Sequence, residues 1–196
     1  YLSKNYVTIW VYFSERDVKI IMKVHVDKQK LEKWSGPFSL ALVIALFVRF
    51  FLVTPLEING NSMLPVLHDR DEVLVRHYGT IKRFDIITFK LNNGETYIKR
   101  VIGLPGDEIK YENNQLYVNQ KKVPEKFLTD PNLGETSDFT LDDFFTTTKV
   151  PAHKYFVLGD NRRISQDSRT LGMIDETKIS GRAWIIYWPI WHFKVL

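Results

Sequence analysis

Between Pro37 and Leu56 the chain reads "PFSLALVIALFVRFFLVTPL", 20 residues with one charge, Arg49. A helix of that length, rising about 1.5 Å per residue, matches the roughly 30 Å hydrocarbon core of a bilayer. The run is apolar on every face, whereas a helix on a soluble core normally keeps a polar stripe. A cleavable leader would have a shorter apolar core ending in small residues, and this run ends in "RFFLVTPL". The expectation is a single transmembrane helix over 37–56, retained in the mature chain. Arg49, deep in the run, would have to snorkel to the surface.

Direction follows from the flanking cations. Lys23, Lys28, Lys30 and Lys33 precede the run, while Arg70 is the first cation after it. The positive-inside rule then puts residues 1–36 in the cytoplasm and residues 57–196 outside, at the cell membrane. Residues 1–21 fit the remainder poorly and read as an upstream, non-native extension, set aside from the fold.

Composition removes several chemistries. With no cysteine, disulfides, thiolate catalysis and cysteine-held metals are excluded. The five histidines are scattered with no pair at metal-ligand spacing, so neither a metal nor another cofactor is expected. The net charge of +4 is spread along the chain without a basic face, which argues against nucleic acid as a partner.

After residue 57 short β-rich runs replace any helical period. They are "DEVLVRHY" (71–78), "FDIITFKL" (84–91), "TYIKRVIGL" (96–104), "DEIKYENNQLYVNQKKV" (107–123), "YFVLGD" (155–160) and "GRAWIIYWPI" (181–190). "NNG" at 92–94 and "ENN" at 112–114 are hairpin signals. The fold class is therefore mainly β, a barrel or sheet of linked hairpins behind one N-terminal helix. Residues 124–150, rich in Pro, Gly, Thr and acids, read as a loop-rich insertion, with "LDDFF" as a short helical turn.

Three clusters carry possible chemistry. Ser62, in "GNSMLP", lies between a glycine and a proline six residues past the apolar run, and a nucleophilic serine needs a base. His68 is near in sequence, but "HDRDE" reads as a solvated turn. Lys99 sits mid-strand in "TYIKRVIG", on the same face as Tyr97 and Val101. Either it decorates a wet face, or it is desolvated and available as a neutral amine. The third cluster, "GDNRRISQDSR" (159–169), is a charged loop or a shell of groups that holds a catalytic residue in place.

An apolar anchor followed by "GNSMLP", "YIKRVIGLPGD" and "GDNRRISQDSR", in that order, resembles bacterial type I signal peptidase (leader peptidase, peptidase family S26). The short, single-span branch of Gram-positive bacteria is most similar, and the likeness runs from about residue 35 to the C-terminus. The resemblance implies a signal-peptidase-like β catalytic domain and a Ser–Lys dyad, with Ser62 as nucleophile and Lys99 as general base. It implies that Ser165 hydrogen-bonds the lysine and that Asp167 organises its loop. Gly159, Asp160, Asn161, Arg162 and Arg169 fall on structural motif positions. The Ser62 backbone N–H would stabilise the oxyanion. Where some members carry a second, hydroxyl donor, this chain has Gly60, so that donor stays open. The implied partners are membrane lipid and signal-peptide-bearing preproteins, cleaved after small residues at positions −1 and −3. Ile58, Leu64, Val75 and Ile98 are the candidate pocket residues.

Two other readings remain. A self-cleaving repressor with a related dyad would need an N-terminal DNA-binding domain, which the apolar run opposes. A signal-peptidase paralogue without activity, or a membrane-anchored β-domain, would act as a binding protein.

Overall fold

The computed structural model describes residues 6–15, 18–47, 52–92 and 94–196, with side chains described from residue 33 onward. The chain divides into two units, residues 1–50 and 51–196.

In the first unit, strands β1 (Tyr6–Glu15) and β2 (Val18–Asp27) pair antiparallel, from Tyr6 against Asp27 to Glu15 against Val18. The segment set aside as an extension thus has a strand partner. Its alternating "VTIWVYF", dense in β-branched and aromatic residues, suits an extended backbone. Helix α1 (Lys28–Phe47) follows and contains Pro37. Trp34, Phe38, Leu40, Leu42, Val43, Ile44 and Leu46 are all exposed on it.

The helix expected over 37–56 is corrected at both ends. It starts at Lys28, because "KQKLEKW" is made of good helix formers. Its last residues are not helical: Val53–Glu57 form strand β3. Val53 and Thr54 are β-branched, Pro55 cannot continue a helix, and the backbone pairs instead with the next strand. Residues 48–51 lie outside the described residues. Among the described residues no helix is long and apolar enough to cross a membrane.

The second unit is mainly β. Beyond β3 it contains β4 (Glu72–Arg76), β5 (Ile86–Lys90), β6 (Thr96–Gly103), β7 (Ile109–Glu112), β8 (Gln115–Val118), β9 (Lys121–Lys122), β10 (Phe139–Thr140), β11 (Lys154–Leu158), β12 (Ile174–Asp175), β13 (Ile179–Trp188) and β14 (Lys194–Val195). The larger sheet runs β12-β11-β6-β5-β13-β4-β3, with β14 also on β13. The smaller runs β10-β7-β8-β9. The β7–β8 hairpin turns at Asn113 and Asn114, both at positive φ, the conformation that Asn tolerates best among residues with a side chain.

Three clusters of buried side chains stabilise this unit. One gathers Ile58, Met63, Leu67, Val73 and Ile186; it anchors the turn that carries Ser62. A second fills the small sheet with Ile109, Tyr111, Leu116, Phe139, Leu141 and Phe156. A third places Ile87, Phe89, Val101 and Val157 behind β6. The stretch 124–150 is more than loop: it supplies β10, the helical turn α2 (Pro131–Gly134), a 3-10 turn at Leu141–Asp143, and buried Phe139, Leu141 and Val150.

Candidate active site

Ser62 and Lys99 meet. Lys99 Nζ lies 2.8 Å from Ser62 Oγ, and it donates to the Ile98 carbonyl at 2.9 Å. Each partner is set by its own element. Ser62 begins a turn in which the Met63 carbonyl accepts from Val66 and Leu67, and Met63 itself is only 1% exposed. Lys99 sits on β6 opposite Ile87 of β5.

β6 is buried from Ile98 to Gly103, so the reading of Lys99 as decoration on a wet face does not hold; it is 3% exposed. Burial penalises the ammonium and pulls its pKa down to about 8, against weaker opposing pulls from Asp167 and Asp160. His68, the other candidate base, is exposed and contacts His192 and Asp71 instead of Ser62.

The segment after β11 supports this pair from below. The Ser62 carbonyl accepts from the Asn161 N–H at 3.1 Å, and Asn161 Nδ2 donates to the Asn61 carbonyl at 3.2 Å. Asp160 is fully buried and takes both Arg100 Nε (2.7 Å) and Nη2 (2.5 Å). Asp167, also fully buried, accepts from Arg169 Nε and Nη2, both at 2.8 Å, and from the Gly159 N–H at 3.1 Å. It also caps the short helix α3 (Ser168–Leu171). Arg162 donates to the Gly159 carbonyl, Tyr111, Thr136 and Glu125. Gly159 is required by space: a Cβ there would lie 2.2 Å from Ser165 Oγ and 2.5 Å from the Ser62 carbonyl oxygen.

The structure corrects two expectations in this region. Ser165 reaches the site, but its Oγ is buried without a hydrogen-bond partner and does not bond Lys99. Lys99 Nζ is directed to Ser62 and to its neighbour's carbonyl instead. Of the four candidate pocket residues, Ile58 and Ile98 line the cleft; Leu64 and Val75 do not. Val75 faces inward from β4 and is buried in the core.

The cleft beside this Ser62–Lys99 pair measures about 620 Å³. One wall is Leu56–Asn59, the other Glu95–Lys99, with Ile164 and Gln166 closing the side. Among the described residues, β3 and the Thr96–Lys99 part of β6 each have a strand partner on one side only. β3 ends the large sheet. On β6, pairing with β11 begins only at Arg100, leaving Thr96–Lys99 bonded to β5 alone.

Gly60 also finds a reason. Its φ of +92° lies where a side chain would be strained, and its N–H donates to Asp69 Oδ1 at 2.7 Å. Sequence reasoning missed the parts of the Arg162 network that come from afar, Glu125 and Tyr111. No local pattern links three residues 14 to 51 positions apart in the chain that only the tertiary fold brings together.

The Peptidase_S26 family, described as "Signal peptidase, peptidase S26", matches residues 31–188. The chain belongs to this family. As a member it is a serine endopeptidase. A relative named signal peptidase I from Bacillus amyloliquefaciens is 39% identical over 83% of this chain and 94% of its own. Signal peptidase IB of Staphylococcus aureus (strain Mu50 / ATCC 700699) is 37% identical over 85% of this chain and 94% of its own. A crystal structure of a signal peptidase I from Enterococcus faecalis V583 is 37% identical and covers 53% of this chain and 97% of that one, with a TM-score of 0.49.

Proposed function

We propose that this S26 peptidase removes N-terminal signal peptides from secreted preproteins, with Ser62 as nucleophile and Lys99 as general base. The observation that carries the reading is a buried lysine, with a pKa drawn down to about 8 by its burial, 2.8 Å from a serine hydroxyl. At pH 7 about one lysine in ten is then neutral, against roughly three in ten thousand at the ordinary pKa of 10.5.

The steps follow from the proton positions. Neutral Lys99 takes the Ser62 proton as Oγ attacks the scissile carbonyl, and the Ser62 N–H stabilises the oxyanion. Lys99 then returns the proton to the leaving amine. Water, deprotonated by the same lysine, releases the acyl group. A neutral amine has two N–H bonds and one lone pair. The lone pair faces Ser62 and one N–H serves the Ile98 carbonyl. For the second N–H we assign Ser165 Oγ as acceptor, since that oxygen is buried and unpartnered beside Gly159.

The substrate enters extended between the two strand edges, bonded to β3 on one side and to Thr96–Ile98 on the other. Ile58 and Ile98 bound a shallow apolar floor, which suits small side chains near the scissile bond. Membrane anchoring through the apolar segment from Pro37 onward, with the lysine-rich side in the cytoplasm, would bring Ser62 to the membrane surface where preproteins emerge. The exposed apolar side chains of α1 support that placement.

The test is cleavage of a purified preprotein by the full chain, by Ser62→Ala and by Lys99→Ala. Each variant is expected to lose at least about a thousandfold in kcat/KM with its fold intact. Wild-type activity in either variant would remove that residue from the mechanism, and an inactive wild type would favour the binding-protein reading.

A further inference from the structure

Away from the catalytic cleft, two histidines and an aspartate that are far apart in the chain converge. His68 Nδ1 lies 3.3 Å from His192 Nδ1, across 124 residues of sequence. His192 Nδ1 is 2.9 Å from Asp71 Oδ2, and His68 Nδ1 is 3.8 Å from the same oxygen. The rings meet edge to face with centroids 4.4 Å apart. Asp71 is 2% exposed, and its Oδ2 also accepts from the His68 backbone N–H at 2.8 Å, which fixes the carboxylate.

We propose that His68, His192 and Asp71 form a binding site for a divalent first-row metal ion, with Zn²⁺ as the best fit. The geometry carries this. A triangle with sides of 3.3, 2.9 and 3.8 Å has a circumscribed radius of about 2.0 Å. An ion about 0.6 Å above its plane therefore sits about 2.05 Å from all three atoms, within the usual range for zinc–nitrogen and zinc–oxygen bonds. That height is close to a third of the bond length, where a tetrahedral ion stands above the plane of three of its ligands. Two imidazoles and one carboxylate are also a donor set that zinc accepts, whereas calcium and magnesium prefer oxygen.

Hydrogen bonds alone account for the cluster poorly. Both imidazoles direct Nδ1 into it, where the carboxylate offers only acceptors. When His192 donates its Nδ1 proton to Asp71, that proton is committed to the carboxylate and the His68 Nδ1, 3.3 Å from the His192 nitrogen, gains no partner of its own from it. A cation satisfies all three lone pairs at once. The site opens into a cavity of about 520 Å³ walled by Trp188, Pro189 and Trp191, which leaves room for a water as fourth ligand.

Such an ion would tie two turns together. One, His68–Asp71, holds Gly60 through Asp69 and follows the nucleophile turn directly. The other, Ile190–His192, carries exposed Ile190 and Trp191 near the end of the chain. Histidine spacing along the chain does not show this site, because the pairing of β13 with β4 brings its two halves together.

The test is calorimetric titration of the metal-free full chain in detergent with ZnCl₂, alongside His68→Ala and His192→Gln. His68 is exposed, so its replacement leaves the fold in place, and His77 and His153 remain as internal controls. The expected result is one saturable ion per chain, with affinity at least tenfold weaker in both variants. A zinc-induced rise in melting temperature should be reversed by chelator in the wild type and be absent in the variants. No saturable binding in the wild type, or equal affinity in both variants, would overturn the proposal.

Discussion

Two of the buried cations in the peptidase unit, Arg162 and Lys99, are treated in opposite ways. Arg162 has a fully covered side chain and is surrounded by acceptors: Glu125, Tyr111, Thr136 and the Gly159 carbonyl. Burial opposes its charge, but the neighbouring Tyr111 and Glu125 more than offset that and raise its pKa. Lys99 is as deeply buried, but the hydrogen bonds of its amine go to neutral oxygens and its pKa falls. The nearby acids are not missing; they are committed elsewhere. Arg100 holds Asp160 and Arg169 holds Asp167, so the two carboxylates that could have paired with Lys99 are neutralised by arginines. The difference separates an arginine whose charge its acceptors hold from a lysine whose proton burial loosens.

That contrast can be broken from either side. The largest stability effect belongs to the arginine. Glu125→Ala leaves Arg162 buried without its carboxylate and should destabilise the full chain by about 3–5 kcal/mol in denaturant unfolding. An unchanged midpoint would mean that Arg162 is held by its other partners alone.

Lys99→Met should do the reverse. With a folded pKa of about 8 and an unfolded value near 10.5, the folded state binds a proton less readily. Below pH 8 both states are protonated and the cost of the buried ammonium is fully present. It fades as pH rises from 8 to 10.5. The methionine variant should therefore be more stable than the wild type by about 3 kcal/mol at pH 6, with the gain vanishing near pH 10.5. A gain independent of pH would indicate packing alone.

The smallest effect is expected at Ser165. Removing its hydroxyl leaves the dyad in place but takes away the acceptor proposed for the amine's second N–H. Ser165→Ala should lower kcat about tenfold with KM little changed. A rise in KM alone would assign Ser165 to substrate binding.

The sequence showed more of the site than of the frame around it. Ser62, Lys99 and the 159–169 segment each lie in a short local pattern, and the turn at Gly60 and the strand "YIKRVIG" position them locally. Tertiary arrangement, however, decided whether Lys99 was wet or buried. Every residue of β6 from Ile98 to Gly103 is buried, on both sides of the alternation, and nothing within the strand reports that. The apolar run misled for a related reason. Hydrophobicity alone does not distinguish a helix from a strand, and Val53–Glu57 find a partner in β4 that the run itself cannot reveal. Glu125 and His192 lay beyond local reading altogether, since each joins its cluster across the fold.

The central claim is that the base is a lysine whose proton burial has loosened. The direct measurement is kcat/KM for preprotein cleavage by the full chain between pH 5 and 10. The account predicts a rate that climbs tenfold per pH unit at low pH, bends near pH 8 and then levels. A rate flat from pH 5 to 9, or one that bends near 6.5 as a histidine would, would contradict it.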